Sequence, residues 1–310
     1  MSSVEKKLKT QAKVPKIKKT TIAEVLTIKE YAKQELNNYA LPEVCNRVRS
    51  MIDSEDATMD DISKVVVIDP SITLSIMKLA NSPIYNFKNK VDSLSRALTV
   101  LGGERIYSMI LSEFTMTTFR DLHCKLLDME RFWTYSFCTA FIAQELARKD
   151  DMTIKEQEKL YICGLLHNIG ELAVAKRSPK TAVLIEKLMS EGNHPWMSQK
   201  AQLGFHYAEC SAEMMREWGM PVSLYELVGK IPSEEPSLQG KMVKILAISA
   251  QCALEMVSSK YFNANDLIKE QFESIPNHEL DMISTVKRNA IDRSENIVNL
   301  MDSFEYKCIL

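Results

Sequence analysis

From about Thr21 onward the apolar residues recur three and four apart, and no stretch shows a sustained two-residue alternation. Spacing of that kind gathers an apolar stripe on one side of a helix and leaves no half-buried strand from which to build a sheet. Glycine (9) and proline (10) are sparse in the 310 residues, whereas Leu, Met, Glu and Lys abound. Few turn formers and many helix formers point to an all-α fold. A chain this long can bury roughly three quarters of its unfolded surface, so its stability needs no staples.

Several helix boundaries can be read directly. One helix runs through Ile62, Val65 and Val66 and the next through Ile72, Ile76 and Leu79, separated by Asp69-Pro70. An aspartate there can accept free amide hydrogens of the next turn, and proline suits the first helical position. Asn81-Ser82-Pro83 stops that helix. The stripe Leu94, Ala97, Leu98 and Leu101 ends at Gly102-Gly103, and Ile106, Met109 and Ile110 open another helix. A helix-turn-helix DNA reader is conceivable here, but its second helix offers Arg105 and little other positive charge before Glu113. Two core helices joined by a tight turn are the expectation, and nucleic acid is not an expected partner. Further on, aromatic Phe132, Trp133, Phe137 and Phe141 lead to Ala147, a helix spans about Pro179 to Ser190, and a long apolar helix covers Met242 to Met256. A weaker pattern through Leu280, Ile283, Val286, Ile297 and Leu300 can pack on the core or dock a partner.

Global charge is close to neutral at -2, so no overall field gathers nucleic acid or anionic lipid. Residues 1–20 carry Lys6, Lys7, Lys9, Lys13, Lys16, Lys18 and Lys19 against Glu5 and read as a mobile, solvated basic arm. Seven scattered cysteines without a CxxC pair suggest neither a disulfide framework nor a zinc finger, and a reducing cytoplasm fits them. The longest uncharged apolar run, Leu160 to Gly170, is well short of a membrane span, so no membrane association is expected.

Within that run lies Leu165-Leu166-His167-Asn168-Ile169-Gly170, read as part of an apolar helix. It resembles the His-Asp signature of the HD superfamily of metal-dependent phosphohydrolases, with asparagine in place of aspartate. An ordered series resembles one branch, the HDOD (HD-related output domain) family of bacterial signalling proteins. The series comprises Leu41-Pro42, Asp69-Pro70-Ser71-Ile72, Leu79-Ala80-Asn81-Ser82, Ala97-Leu98 through Leu101-Gly102, Phe132-Trp133, and Glu209 through Trp218-Gly219-Met220-Pro221. The resemblance covers about residues 40–255. It implies an N-terminal helical bundle packed on an HD-like helical bundle. The expected organisation is an arm at 1–20, an HDOD-like domain at 21–262 (about 21–120 and 121–262) and a C-terminal helical extension at 263–310.

An active HD site holds divalent metal with two histidines and two aspartates, which turn a bound water into a nucleophile. By the resemblance, the upstream histidine falls near Tyr135, the signature aspartate at Asn168 and the final aspartate near Gln251; His167 alone survives. Histidines that many relatives carry after the Trp-Gly-x-Pro stretch fall at Ile231-Pro232. One imidazole cannot hold a catalytic metal, so neither a catalytic residue nor a cofactor is expected. His167 is expected to be a buried, hydrogen-bonded histidine and His206 a surface histidine at a helix start. Trp133 and Trp218 are expected in the core. No Walker loop, catalytic triad or dinucleotide fingerprint occurs, and no cysteine has the context of a nucleophile. The expected function is a non-catalytic signalling output or scaffold module that binds a protein partner. The alternatives are a residual phosphohydrolase and a sensor of a nucleotide or other small molecule in the vestigial cleft.

Overall fold

A computed structural model describes residues 27–36, 43–54, 56–82, 90–120, 127–191, 193–232, 240–257 and 285–295. These residues form helices and turns, with no strand among them. The basic arm and Leu41-Pro42 lie outside them, as do Cys124 and Cys308. The first group of helices is α1 (Ile28–Leu36), α2 (Glu43–Ile52), α3 (Met59–Val66), α4 (Pro70–Ala80), α5 (Leu94–Leu101) and α6 (Gly103–Arg120). The second is α7 (Met129–Lys149), α8 (Ile154–Leu166), α9 (Ile169–Arg177), α10 (Pro179–Ser190), α11 (Pro195–Leu203), α12 (Tyr207–Glu217), α13 (Val222–Gly229) and α14 (Lys241–Val257). None is long and apolar enough to cross a membrane.

Local chemistry sets many of the boundaries. Asp69 Oδ1 accepts the Ile72 amide at 3.2 Å and so caps α4, as its sequence predicts. Thr58 with Asp61 and Thr153 with Glu156 form reciprocal capping boxes at the starts of α3 and α8. Gly102 ends α5 in a positive-φ conformation (79°) that an L side chain rarely adopts. Beyond α4, both the amide and carbonyl of Val91 bind the side chain of Asn81 at 2.8 Å, fixing the entry to α5.

Helices α2 to α6 pack on one another, and α6 joins them to α8. At that junction the buried Glu158 carboxylate accepts from Arg105 Nε (3.2 Å), Ser108 Oγ (3.0 Å) and Gln144 Nε2 (3.0 Å). Arg105, the one basic side chain that a DNA-reading helix could have used, is thereby tied to the interior. The second bundle is organised around α7, which lies along α8 and α14. Contact between α7 and α8 is close because Gly164 has no Cβ; one built there would stand 2.7 Å from Ala140 Cα.

Helix α1 corrects the expected division. The sequence reading put it with the N-terminal bundle, whereas it packs chiefly on α12 and α9 of the second bundle. Its Tyr31 hydroxyl meets Ser178 Oγ at 2.7 Å, and its ring stands edge-on to Phe205. The described part of the C-terminal extension, residues 285–295, is helical and buries Val286, Ala290 and Ser294, four apart. Ser294 Oγ meets Cys138 Sγ of α7 at 3.1 Å, Arg293 lies 4.0 Å over the Phe141 ring, and Lys287 pairs with Glu255 of α14. This stretch packs on the core, one of its two expected roles. Trp133 and Trp218 are each 7% exposed, in the core as expected.

Candidate functional site

The His-Asn string does not sit inside one helix, as the sequence suggested. Helix α8 ends at Leu166, His167 caps it, and Asn168 starts α9. Ending one helix beside the start of another leaves backbone groups without helical partners. Ser211, fully buried on α12, satisfies them. Its Oγ accepts the Gly170 amide at 2.8 Å and reaches the carbonyls of His167 (2.8 Å) and Tyr207 (2.9 Å). Gly170 permits that approach, because a Cβ there would lie 2.3 Å from the Tyr207 carbonyl oxygen.

The break points His167 and Asn168 at a cavity of about 40 Å³, room for about three waters. Tyr135, from α7, also lines it, with its ring edge-on to the imidazole at 4.8 Å between centroids. Gln251 of α14 faces an adjoining hollow that shares Tyr135 and Trp196 with the main cavity. Thus the four positions singled out from the sequence, Tyr135, His167, Asn168 and Gln251, line two adjoining hollows. Ile231 also lines the cavity.

His167 is 3% exposed, and burial lowers its pKa to about 4, so the ring is neutral near pH 7. Its Nδ1 lies 2.6 Å from the Gly164 carbonyl. A carbonyl only accepts, so Nδ1 carries the proton and Nε2 presents a lone pair. That Nε2 is buried without a hydrogen-bond partner among the described residues. The hydrogen-bonded histidine foreseen from sequence is therefore satisfied on one side only. Burial also raises the Tyr135 phenol well above its ordinary range, so it offers no anionic oxygen.

Sequence reasoning passed over Glu171. It follows Asn168 by three residues, accepts from Asn168 Nδ2 and lines the same cavity. Burial raises its pKa to about 7, against the lowering effects of Arg131 and Asn168. Arg131 Nη1 pairs with Glu186 of α10 at 3.1 Å. The helix break was the missing signal, since it takes Asn168 and Glu171 off the apolar stripe. His206 starts α12 as expected, but it is part-buried and held to Glu209 at 2.7 Å, so its placement on the surface is corrected.

The metal of an active HD enzyme does not suit these donors. Catalytic sites take at least three anionic or imidazole ligands, and here the positions supply one neutral imidazole, a phenol and two amides. No group of three His, Cys, Asp or Glu able to hold a metal occurs among the described residues. Cys45, Cys138, Cys163, Cys210 and Cys252 are free and buried, with burial pushing the thiols up to about 11 or 12, which disfavours the nucleophilic thiolate.

Known proteins share this frame. An HDOD domain protein of unknown function from Geobacter sulfurreducens superposes with a TM-score of 0.63 at 18% identity, covering 86% of this chain and 97% of that one. A candidate phosphohydrolase from Shewanella amazonensis SB2B gives 0.61 at 21% identity over 87% of this chain and 93% of that one. A candidate signal transduction protein from Marinobacter aquaeolei VT8 gives 0.64 at 20% identity over 86% of this chain and 59% of that one. At these identities the likeness establishes the fold. An uncharacterized protein of Treponema pallidum (strain Nichols) is 23% identical over 184 residues, 58% of this chain, which spans about a third (35%) of that relative's length. The model of the HDOD domain matches residues 39–231, more than half of the sequence and including Tyr135, His167 and Asn168. On that match, carried by the fold just described, the chain belongs to the HDOD domain family.

Proposed function

We propose that this chain is a non-catalytic signalling module that acts by binding a protein partner and has kept the HD cleft without its metal chemistry. The observation that carries the reading is the donor set. Where a phosphohydrolase gathers charged ligands, Tyr135, Asn168 and Gln251 are neutral and His167 stands with a single lone pair. A divalent cation brought there would lose its water shell for one imidazole and the Glu171 carboxylate, and no group of three ligands able to hold it occurs among the described residues. The likeness to a candidate signal transduction protein supports the signalling half of the reading.

Elemental analysis of the purified chain, with hydrolysis of p-nitrophenyl phosphate in added Mn²⁺, tests it. The expected results are substoichiometric metal, no turnover, and no turnover from Asn168→Asp alone, since Tyr135 and Gln251 still leave the ion under-coordinated. One tightly held manganese, iron or zinc per chain, lost on His167→Ala, would refute the reading. So would activity from the single Asn168→Asp variant.

A further inference from the structure

Where the two bundles meet, a cavity of about 130 Å³ opens, about three times the volume of the vestigial cleft. Its walls come from α2 and α6 of the first bundle and from α8 and the start of α13 of the second. Five charged side chains line it, Arg49, Lys155 and Lys159 against Asp53 and Glu104. Both carboxylates are already engaged by one group, because Arg49 donates from Nε to Asp53 (2.7 Å) and from Nη1 to Glu104 (2.9 Å). The guanidinium is steadied in turn over the Tyr107 ring, 5.4 Å from its centroid. Lys155 Nζ approaches Asp53 at 3.6 Å. Lys159 makes no ion pair and no hydrogen bond among the described residues, and its part-exposed side chain is not sealed from solvent. The carboxylate of Glu156, one turn before it, is turned to Thr153 and lies outside the lining. The first turn of α13 has no acidic residue and contributes the Ser223 hydroxyl, which has no partner among the described residues.

We propose that this junction binds a small organic phosphate, a monoester of up to about ten non-hydrogen atoms. Its terminal oxygens accept from Lys159 Nζ, Lys155 Nζ and Ser223 Oγ. Three features converge on that ligand class. The lining holds one cation more than it holds carboxylates, and the surplus charge sits on Lys159, a compact ammonium suited to a phosphate oxygen. Lys155 and Lys159 stand four apart on α8, a spacing at which like charges repel, and an anion between them removes that repulsion. Two ammonium groups and a hydroxyl from two different helices match the three terminal oxygens of a phosphate monoester, where a carboxylate offers only two. The volume of about 130 Å³, room for about ten waters, sets the size limit. The site is separate from the vestigial cleft and stands whether or not the non-catalytic reading does.

Titration calorimetry of the full chain with glycerol 3-phosphate, against glycerol and sodium acetate at equal ionic strength, tests it. Saturable binding with a dissociation constant on the order of 0.1–1 mM is expected for a ligand of about ten heavy atoms. Inorganic phosphate should displace the ester, since it presents the same oxygens. Lys159→Gln should weaken binding at least about tenfold, the usual effect of losing a charge-assisted hydrogen bond. Lys159→Arg, which keeps the charge, should bind more tightly than Lys159→Gln. Ser223→Asp puts a carboxylate into the lining at a helix start that favours one, so it should keep its thermal midpoint and lose affinity at least about tenfold. Lys187→Gln, on α10 and outside the lining, should bind as wild type does. Far-UV circular dichroism checks that every variant is folded. Absence of saturation by about 20 mM glycerol 3-phosphate overturns the proposal. Equal binding of glycerol or acetate does so too, as does unchanged affinity in folded Lys159→Gln or folded Ser223→Asp. A loss from Lys187→Gln equal to that from Lys159→Gln would reveal a general charge effect and overturn it as well.

Discussion

Replacing Gly170 by alanine adds one methyl group at the closest approach of α9 to α12. A Cβ there stands 2.3 Å from the Tyr207 carbonyl oxygen, 2.8 Å from Cys210 Cβ and 3.0 Å from the Ser211 amide nitrogen. Ordinary contact is roughly 3.5–4.0 Å, so α9 must retreat by about 1 Å or more. Two of the three obstacles are backbone and cannot rotate away. The retreat stretches the 2.8 Å bond from the Gly170 amide to Ser211 Oγ, leaving a buried donor unsatisfied. Overpacking costs about 1–3 kcal/mol and the lost hydrogen bond about 1–3 kcal/mol, while alanine's better helix propensity returns about 1 kcal/mol. The net destabilisation is about 3 kcal/mol, a large share of the ~5–15 kcal/mol that holds a domain together. Urea denaturation followed by circular dichroism measures it, with Gly229→Ala as control, because there the added Cβ meets only Ala212 Cβ at 3.3 Å. A Gly170→Ala midpoint no lower than that of the control would refute the reasoning.

Trp133→Ala and Trp218→Ala should each destabilise the fold by about 3–5 kcal/mol in the same assay; an unchanged midpoint would move that residue from the core to an interface. Glu158→Ala should cost about 2 kcal/mol, less than a fully buried pair, because Arg105 is 35% exposed and can regain water; a neutral result would show that the junction of α6 and α8 does not depend on this carboxylate. Glu171 holds its proton more tightly folded, at about 7, than at its ordinary 4.5, so the folded chain binds more protons between those values. Stability from this group is therefore greatest below 4.5, declines as pH rises, and is lower by at most about 3 kcal/mol above 7. His167 and His194, lowered to about 4, give the opposite slope below 6.5, so the Glu171 effect is read as the difference between wild type and Glu171→Gln. Glu171→Gln should gain on wild type as pH rises from 5 to 8; parallel profiles would show that the carboxyl titrates normally.

Much of the helical frame was legible because its causes lie within a few residues. The stripe Ile72, Ile76 and Leu79, the Asp69-Pro70 start and the Asn81 stop describe α4 without reference to anything distant. The apolar span from Pro179 to Ser190 coincides with α10, and the glycine pair divides α5 from α6. The family motifs likewise brought Tyr135, His167, Asn168 and Gln251 to two adjoining hollows, because they track positions on a shared frame. What the tertiary structure alone decided depends on groups far apart in the chain. Helix α8 ends at His167-Asn168, where Ser211, more than forty residues later, meets the exposed backbone groups. Glu171 enters the cleft as a consequence of that break. Helix α1 joins the second bundle because Tyr31 finds Ser178 and Phe205 there. Arg105 turns inward because Glu158 is buried opposite it. Periodicity and capping act over one or two helical turns, whereas these partners meet only after the helices have packed, so a linear reading shows which surfaces are apolar but not which buried polar group completes another.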